Sequence, residues 1–510
     1  MRAVWTIAAS DSGGGAGIER DLKTFADFGV HGCSVITACT CQNTSGVRRT
    51  LEIPADFVAE TGEHLLAEGT PGAVKIGVIP SRECLEVVSG LAQRLRQGPD
   101  PAFLIYDPVL TASAGQDMSR ITHEDLFRST LFSSLDLVTP NLPELVALAR
   151  GLAACRGEDP GSFTLEMGQT LEGLDCMAAY VRTSGVRAVL VTGGHSHDGE
   201  HLHDVLYTPE GERIIFRSRY IASSCKHGTG CLLSSALAAL AAEEYCLEDA
   251  VTAAVMYAGK AVSLGYSWGH GAGTPASGFD RDDPRFLPVI VSSFDEPLPE
   301  YSFPREDMRL GLYPVVDSTD WLRRLLPLGV ATAQLRIKDP DHPALREEIR
   351  EAVALGREHG ARVYVDDHWE LALECGAWGV HLGQEDLLTA DLGRISRAGM
   401  HLGVSTHGYY EIARVLPLRP SYIALGHIFP TGTKKMKSSP QGLERLGHYC
   451  RLLRDWPTVA IGGIKEDTLG GVLDAGAGSA AVVTLITQAD DPEAMTRKLL
   501  EAVHEHNSQR

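Results

Sequence analysis

Short runs that are apolar at most consecutive positions, rather than at alternate ones, constrain this chain most. Phe103-Leu-Ile-Tyr106, Asp136-Leu-Val-Thr139, Ala188-Val-Leu-Val-Thr192 and Val74-Lys-Ile-Gly-Val78 are of this kind. A strand apolar on both sides is covered on both faces, which is the situation in a parallel sheet flanked by helices. Helical stretches separate the runs. Behind the glycine-rich segment at residues 13–17, Ile18, Leu22 and Phe25 fall on one stripe of such a helix. The expectation is an α/β sandwich in the first half of the chain.

The rhythm breaks between about residues 270 and 307, where Pro275, Pro284, Pro288, Pro297, Pro299 and Pro304 interrupt any helix. It then resumes. Candidate strands lie at 312–316, 332–335, 362–365, 379–382, 401–404, 422–425, 458–461 and 480–483. Eight β/α units in about 200 residues match a (β/α)8 TIM barrel. The expected division is 1–283 as one domain, 284–308 as a proline-rich linker and 309–510 as a second domain.

A formal charge of −20 argues against nucleic acid or an anionic membrane as partner. Phosphate ligands are still compatible, since backbone amides and a few local cations hold them. No apolar run approaches the roughly 20 residues of a membrane span, and the N-terminus reads as a strand entering a glycine turn rather than a signal peptide. Eleven scattered cysteines without a Cys-x-x-Cys pair suggest free thiols in the cytoplasm. Cys39 and Cys41 share a strand face and are expected to be buried. His195, His197, His201 and His203 surround Gly199 in what reads as a β-hairpin, a better account than zinc because no cysteine lies near.

Two polar motifs point to phosphate chemistry. In His227-Gly-Thr-Gly-Cys231, Gly228 and Gly230 open an alanine-rich helix whose first-turn amides are unpaired, an anion hole for a transferring phosphoryl group. The same field is expected to lower the Cys231 thiol toward thiolate, suited to accept a proton from an attacking hydroxyl. No P-loop pattern is present. Ala8-Ala-Ser-Asp-Ser-Gly-Gly-Gly-Ala-Gly-Ile-Glu-Arg-Asp-Leu-Lys-Thr-Phe25, Val35-Ile-Thr-Ala-Cys-Thr-Cys-Gln-Asn43, Asp107-Pro-Val109 and Thr139-Pro-Asn-Leu-Pro-Glu144 accompany the motif in order. Together they resemble the hydroxymethylpyrimidine/phosphomethylpyrimidine kinases of the ribokinase-like fold, over nearly all of residues 1–270. The resemblance implies Cys231 as the catalytic residue and Gln42 as the hydrogen-bonding partner of the aminopyrimidine. It puts Gly13 and Asp21 in the substrate pocket, and makes Asp107, Asn141, Glu144, Gly228 and Gly230 the support of Mg-ATP. Where the family has lysine in Val-Lys-Gly-Gly-His, this chain has Thr192; Lys226, just before the anion hole, is the expected substitute.

In the second half, Gln334, Arg336 and Lys338 alternate after a strand and so face one side. An amide, a guanidinium and an ammonium on one face suit a polyanion. Asp367 and Asp386 follow neighbouring strands and could hold Mg2+. Thr431, Thr433 and Lys434 add hydroxyls and a cation, and Gly462-Gly463 exposes amides late in the barrel. With Gly379-Val-His-Leu-Gly-Gln-Glu-Asp386, Gly403-Val-Ser-Thr-His407 and Phe429-Pro-Thr-Gly-Thr-Lys434, residues 309–505 closely resemble thiamine-phosphate synthase. By that resemblance Mg2+ sits on Asp367 and Asp386, and Gln334, Arg336, Lys338 and Lys434 contact pyrophosphate. Ser405 and Lys434 are the catalytic residues that the resemblance implies in this site. Thr431, Thr433, Gly463 and Thr484 approach a thiazole phosphate. The family's Asn-Asp is Asp366-Asp367 here, which places a further carboxylate near the substrate.

The combined expectation is a bifunctional enzyme of thiamine biosynthesis. It would phosphorylate hydroxymethylpyrimidine and its monophosphate with ATP, then condense the pyrophosphate with thiazole phosphate. Its partners would be small molecules, neither nucleic acid nor membrane, with a homo-oligomer left open. The alternative, prompted by Thr192, is an active synthase carrying a pyrimidine-binding or regulatory N-terminal half. A sugar or pyridoxal kinase in the first half is disfavoured by Cys231, where sugar kinases carry aspartate, and by Gln42.

Overall fold

The computed structural model of the chain describes residues 2–109, 118–195, 199–431 and 439–508. The chain divides into two compact units, Met1–Glu296 and Pro297–Arg510.

The first unit is built on ten strands: β1 (Ala3–Asp11), β2 (His31–Asn43), β3 (Gly46–Glu52), β4 (Ala73–Ile76), β5 (Phe103–Tyr106), β6 (Leu137–Val138), β7 (Ala188–Val191), β8 (His201–Tyr207), β9 (Arg213–Arg219) and β10 (Val289–Val291). They form one sheet in the order β10-β9-β8-β7-β6-β5-β4-β1-β2-β3. The six strands from β7 to β2 run parallel; β3 at one edge, and β8 to β10 at the other, pair antiparallel. The apolar runs are the parallel strands, buried on both faces as their composition demands. Trp5, Ile7, Val74, Ile76, Leu104 and Tyr106 belong to one large core. Thr6 and Lys75, out of phase with them by one residue, reach the helices Gly17–Asp27 and Thr229–Ala242. The latter helix is apolar all round and almost wholly buried, its first turn at the C-terminal ends of β1, β4 and β5. Ile18 and Phe25 are buried as their spacing predicts.

Strands β7 and β8 pair antiparallel, with His201 and His203 on β8; His197, on the first arm of the hairpin read around Gly199, lies outside the described residues. Cys41 is exposed, contrary to the buried position expected, because it stands near the outer end of β2 where only β3 covers it. The proline-rich stretch is shared between the units. Val289–Val291 adds the edge strand to the first, pairing with β9. In the second, Glu306 is nearly buried and accepts hydrogen bonds from Tyr364 Oη (2.6 Å) and Trp378 Nε1 (2.7 Å).

The second unit is a closed parallel barrel of β11 (Gly311–Val316), β12 (Thr332–Leu335), β13 (Arg362–Asp366), β14 (Gly379–Leu382), β15 (His401–Thr406), β16 (Tyr422–Leu425), β17 (Thr458–Ile461) and β18 (Ser479–Val482). Each strand pairs with its neighbours in sequence and β18 closes onto β11. Tyr313, Tyr364 and Tyr422 fill the interior with Val315, Ala424, Val459 and Ala481. No helix among the described residues is long and apolar enough to cross a membrane.

Candidate active sites

In the first unit the glycine-rich turn is organised by Asp11, at the end of β1. Its carboxylate accepts amide hydrogens from Gly13 (2.8 Å), Gly15 (3.0 Å) and Ala16 (2.8 Å). Glu19 accepts the Asp11 amide and the Ser10 hydroxyl in turn. Gly228 packs directly on this turn. Its φ is +85°, and a Cβ there would stand 1.9 Å from the Gly15 carbonyl oxygen, so only glycine fits. The two glycine segments thus meet beneath the first turn of the helix Thr229–Ala242, and Cys231 lies in that turn.

Four ionisable groups converge there. Lys75 and Asp21 are both 0% exposed, with Nζ 3.0 Å from Asp21 Oδ2. Thr6 and Ser235 hydroxyls donate to the same carboxylate at 2.6 and 2.7 Å. Burial lowers the Lys75 ammonium, but the charge of Asp21 beside it outweighs this and holds the group above its ordinary value. Asp107 accepts from the Ser234 hydroxyl (3.2 Å) and the Cys231 thiol, and burial raises its pKa, with Lys75 opposing. Burial also pushes the Cys231 thiol up to about 12, against the opposing pull of Lys75, while the carboxylates of Asp107 and Asp21 reinforce the rise. Here the sequence expectation of a thiolate is corrected. The helix field is present, but enclosure and two neighbouring anions exceed it. Asp21, expected in the substrate pocket, is fully enclosed, and its oxygens accept from Thr6, Lys75 and Ser235, so that it braces Lys75.

The other predicted kinase residues sit around this centre. Gly13 lies against Gln42 and Asn43 of β2. Gln42 Nε2 is 3.2 Å from His227 Nε2, which is itself 3.0 Å from Asp11 Oδ2. Gly230 is adjacent to the Asp107 carboxylate. Asn141 and Glu144 form a reciprocal capping box, amide to side chain in both directions at 3.0 and 2.9 Å. Burial and the Asp107 charge push Glu144 up to about 8. Thr192 bridges to Asn141. Lys226 is exposed, with Nζ 3.2 Å from the Tyr220 hydroxyl. Sequence reasoning missed Lys75, although a lysine inside an apolar strand was a readable signal: such a charge requires a buried partner.

In the second unit the predicted residues gather at the C-terminal ends of successive strands. Gln334 Nε2 donates to Asp366 Oδ1 at 2.6 Å, and Arg336 Nε pairs with Asp366 Oδ2 at 2.9 Å. Burial and the charge of Asp367 push Asp366 up to about 7, with Arg336 opposing. Asp367 adopts φ 61°, uncommon outside glycine. Burial and the adjacent Asp386, with which it shares a hydrogen bond, raise its carboxyl. Two carboxylates meeting this way are held together by a shared proton or by a cation, and hard oxygen donors suit Mg2+. No group of three or more His, Cys, Asp and Glu arranged for a metal occurs among the described residues.

Ser405, on β15, is tied to a polar chain through the barrel. His381 Nε2 lies 2.8 Å from Ser405 Oγ, His381 Nδ1 2.7 Å from Tyr422 Oη, and Tyr422 Oη 2.8 Å from Tyr313 Oη. Gly463 packs its left-handed backbone (φ 65°) against the carbonyls of Phe429 and Pro430. Thr431 follows that segment, Thr484 begins the short helix after β18, and both Thr484 and Lys338 are exposed at strand ends. Thr433 and Lys434 lie outside the described residues. His381 was within a recognised motif, but its link to Ser405 could not be read from spacing.

Two family models match the chain. That for phosphomethylpyrimidine kinase covers residues 11–276, just over half of it, and that for thiamine monophosphate synthase covers residues 312–486. The thiamine-phosphate synthase of Serratia proteamaculans (strain 568) is 56% identical over 201 residues, 39% of this chain and 95% of that protein. The thiamine-phosphate synthase of Klebsiella pneumoniae subsp. pneumoniae is 56% identical over 198 residues, 39% and 94%. A solved phosphomethylpyrimidine kinase from Clostridium difficile 630 aligns over 51% of this chain and 100% of its own, at 29% identity and a TM-score of 0.41. The chain belongs to both families, a phosphomethylpyrimidine kinase domain followed by a thiamine-phosphate synthase domain, and is a bifunctional transferase of thiamine biosynthesis.

Proposed function

We propose that the first unit phosphorylates hydroxymethylpyrimidine and then its monophosphate with ATP, and that the second joins the resulting pyrophosphate to thiazole phosphate. The observation that carries the kinase half is the convergence of Cys231, Asp107 and Lys75 at the N-terminus of one helix. Gln42 and Gly13 bind the pyrimidine. Gly228 and Gly230 let the amides approach the phosphoryl group, which develops negative charge as it transfers. The hydroxyl proton has a route. Cys231 accepts it on sulfur while its own thiol proton passes to Asp107, so one negative charge persists in the site. Asp107, Asn141 and Glu144 hold Mg-ATP, and Lys226 contacts the nucleotide phosphates in place of the lysine that Thr192 replaces. Nothing in this unit favours the reading of a non-catalytic module.

In the barrel, Gln334, Arg336, Lys338 and Lys434 bind the pyrophosphate. Asp367 and Asp386 would hold Mg2+, which when bound stabilises charge on the departing oxygens. Asp366 steers Gln334 and Arg336 toward that anion. Thr431, Thr433, Gly463 and Thr484 hold the thiazole phosphate, and Ser405 contacts the pyrimidine. The C–O bond to pyrophosphate breaks, the electron-rich aminopyrimidine stabilises the methylene cation, and the thiazole nitrogen captures it. Positioning and anion stabilisation suffice; no general base is required. The proposed setting is the cytoplasm.

A coupled reaction tests the whole reading. Hydroxymethylpyrimidine, ATP, Mg2+ and thiazole phosphate should give thiamine phosphate with the purified chain. Product from the supplied pyrimidine pyrophosphate, but none from hydroxymethylpyrimidine, would remove the kinase assignment and leave the synthase. Lys434→Ala should lower the condensation rate by about 10²-fold or more with little change in stability.

A further inference from the structure

His227 belongs to neither the phosphoryl-transfer centre nor the helix amides, yet it is fixed on three sides. Its Nε2 lies 3.0 Å from Asp11 Oδ2 and 3.2 Å from the Gln42 amide nitrogen, and its ring presses on Gly15, where a Cβ would stand 2.4 Å from Cδ2. On the far side of Gln42, the amide oxygen is 3.3 Å from Thr40 Oγ1, whose hydroxyl is 2.9 Å from the Ser10 carbonyl.

These contacts decide which way the amide points. Asp11 is an acceptor, so His227 Nε2 carries a proton and cannot also accept one from Gln42. Thr40 has a single proton, and the shorter contact gives it to Ser10, so Thr40 Oγ1 is an acceptor toward Gln42. Both conflicts ease when the amide is turned: Oε1 then faces the one His227 Nε2–H, which it shares with Asp11 Oδ2, and Nε2 donates to Thr40 Oγ1. One N–H and one oxygen lone pair then remain free, in a fixed order along the amide edge.

We propose that His227, held by Asp11, is the residue that sets the specificity of the kinase site for an aminopyrimidine over its oxo counterpart. This rests on the reading of Gln42 as the pyrimidine ligand. An aminopyrimidine presents a ring-nitrogen acceptor beside an exocyclic donor. The 4-oxo analogue presents the same two positions with donor and acceptor exchanged. A glutamine free to turn matches either; one clamped by His227 and Thr40 matches one only. His227 is a positioning residue and exchanges no proton with substrate.

The experiment compares kcat/KM of the full-length chain for hydroxymethylpyrimidine and for its 4-oxo analogue at saturating Mg-ATP. The native chain should prefer the amino compound by on the order of 10³ or more, as sites built on directed hydrogen bonds do. His227→Phe should reduce that preference at least about tenfold, mainly through KM for the pyrimidine. KM for ATP should stay within about twofold, and His227→Gln should restore part of the loss. A purely structural role would lower activity on both pyrimidines together. Should His227→Phe fail to fold, Thr40→Val removes the opposite clamp and must reduce the preference in the same direction. A native preference in the folded His227→Phe or Thr40→Val chain, with the preference lost in Gln42→Leu, overturns the inference and spares the reading of Gln42. A native preference in Gln42→Leu removes that reading itself.

Discussion

Burial and the carboxylates of Asp107 and Asp21 push the Cys231 thiol up. With its thiol pushed up to about 12, the neutral form dominates throughout the neutral range, and the raised value means reactivity grows with pH instead of saturating near neutrality. Iodoacetamide should therefore modify Cys231 more slowly at pH 8 than the exposed Cys41, with the rate at Cys231 still climbing above pH 9; peptide mapping by mass spectrometry separates the eleven cysteines. Alkylation of Cys231 as fast as Cys41 at pH 8 would show the helix field winning after all. Lys75 is the counterweight. Its charge and that of Asp21 are both fully enclosed, so Lys75→Met strands a buried carboxylate and should cost about 3–5 kcal/mol in urea unfolding. Replacing Asp21 as well, in Lys75→Met/Asp21→Leu, should recover much of that stability but none of the kinase activity.

At the scale of elements, what the sequence made legible was periodicity and what it hid was contact. Predicted strands at 332–335, 379–382, 422–425 and 458–461 coincide with those observed, because eight apolar runs with helices between them have few alternatives. The C-terminal ends of β12, β13, β14 and β15 bring Gln334, Arg336, Asp366, Asp367, Asp386 and Ser405 toward one end of the barrel. The chain of Tyr313, Tyr422 and His381 behind Ser405 joins three strands distant in sequence, so no local spacing could announce it. The same holds for the thiolate expectation at Cys231. A helix terminus is visible in a motif, whereas the burial of the thiol and the Asp107 and Asp21 carboxylates beside it come from contacts distant in sequence. Two substitutions probe these elements. Tyr422→Phe removes the hydroxyl that fixes His381 Nδ1 and should lower condensation by about tenfold while the barrel stays folded, measured by steady-state rate and circular dichroism. Gly228→Ala forces a side chain into left-handed backbone against the Gly15 carbonyl, a cost of about 1–3 kcal/mol from the backbone alone. It should displace the anion hole and abolish kinase turnover.

Over the whole molecule, two independent cores carry two complete sets of polar groups. The first unit's centre is formed by β1, β2, β4, β5 and the helix Thr229–Ala242; the second's by strand ends of a barrel closed on itself. Loss of one should leave the other intact, which separates this arrangement from one in which the halves complete a common site. Cys231→Ala should lower kinase turnover by about 10²-fold or more while condensation of supplied pyrimidine pyrophosphate is unchanged. Asp367→Asn should do the reverse, since it removes one of the two carboxylates assigned to Mg2+. Mixing the two defective chains should restore conversion of hydroxymethylpyrimidine to thiamine phosphate, because the intermediate diffuses from an intact kinase on one chain to an intact synthase on the other. The restored rate should rise with protein concentration as the intermediate accumulates. If each variant instead loses both activities, the two centres depend on one another, and the separation of cores seen in the fold does not extend to function.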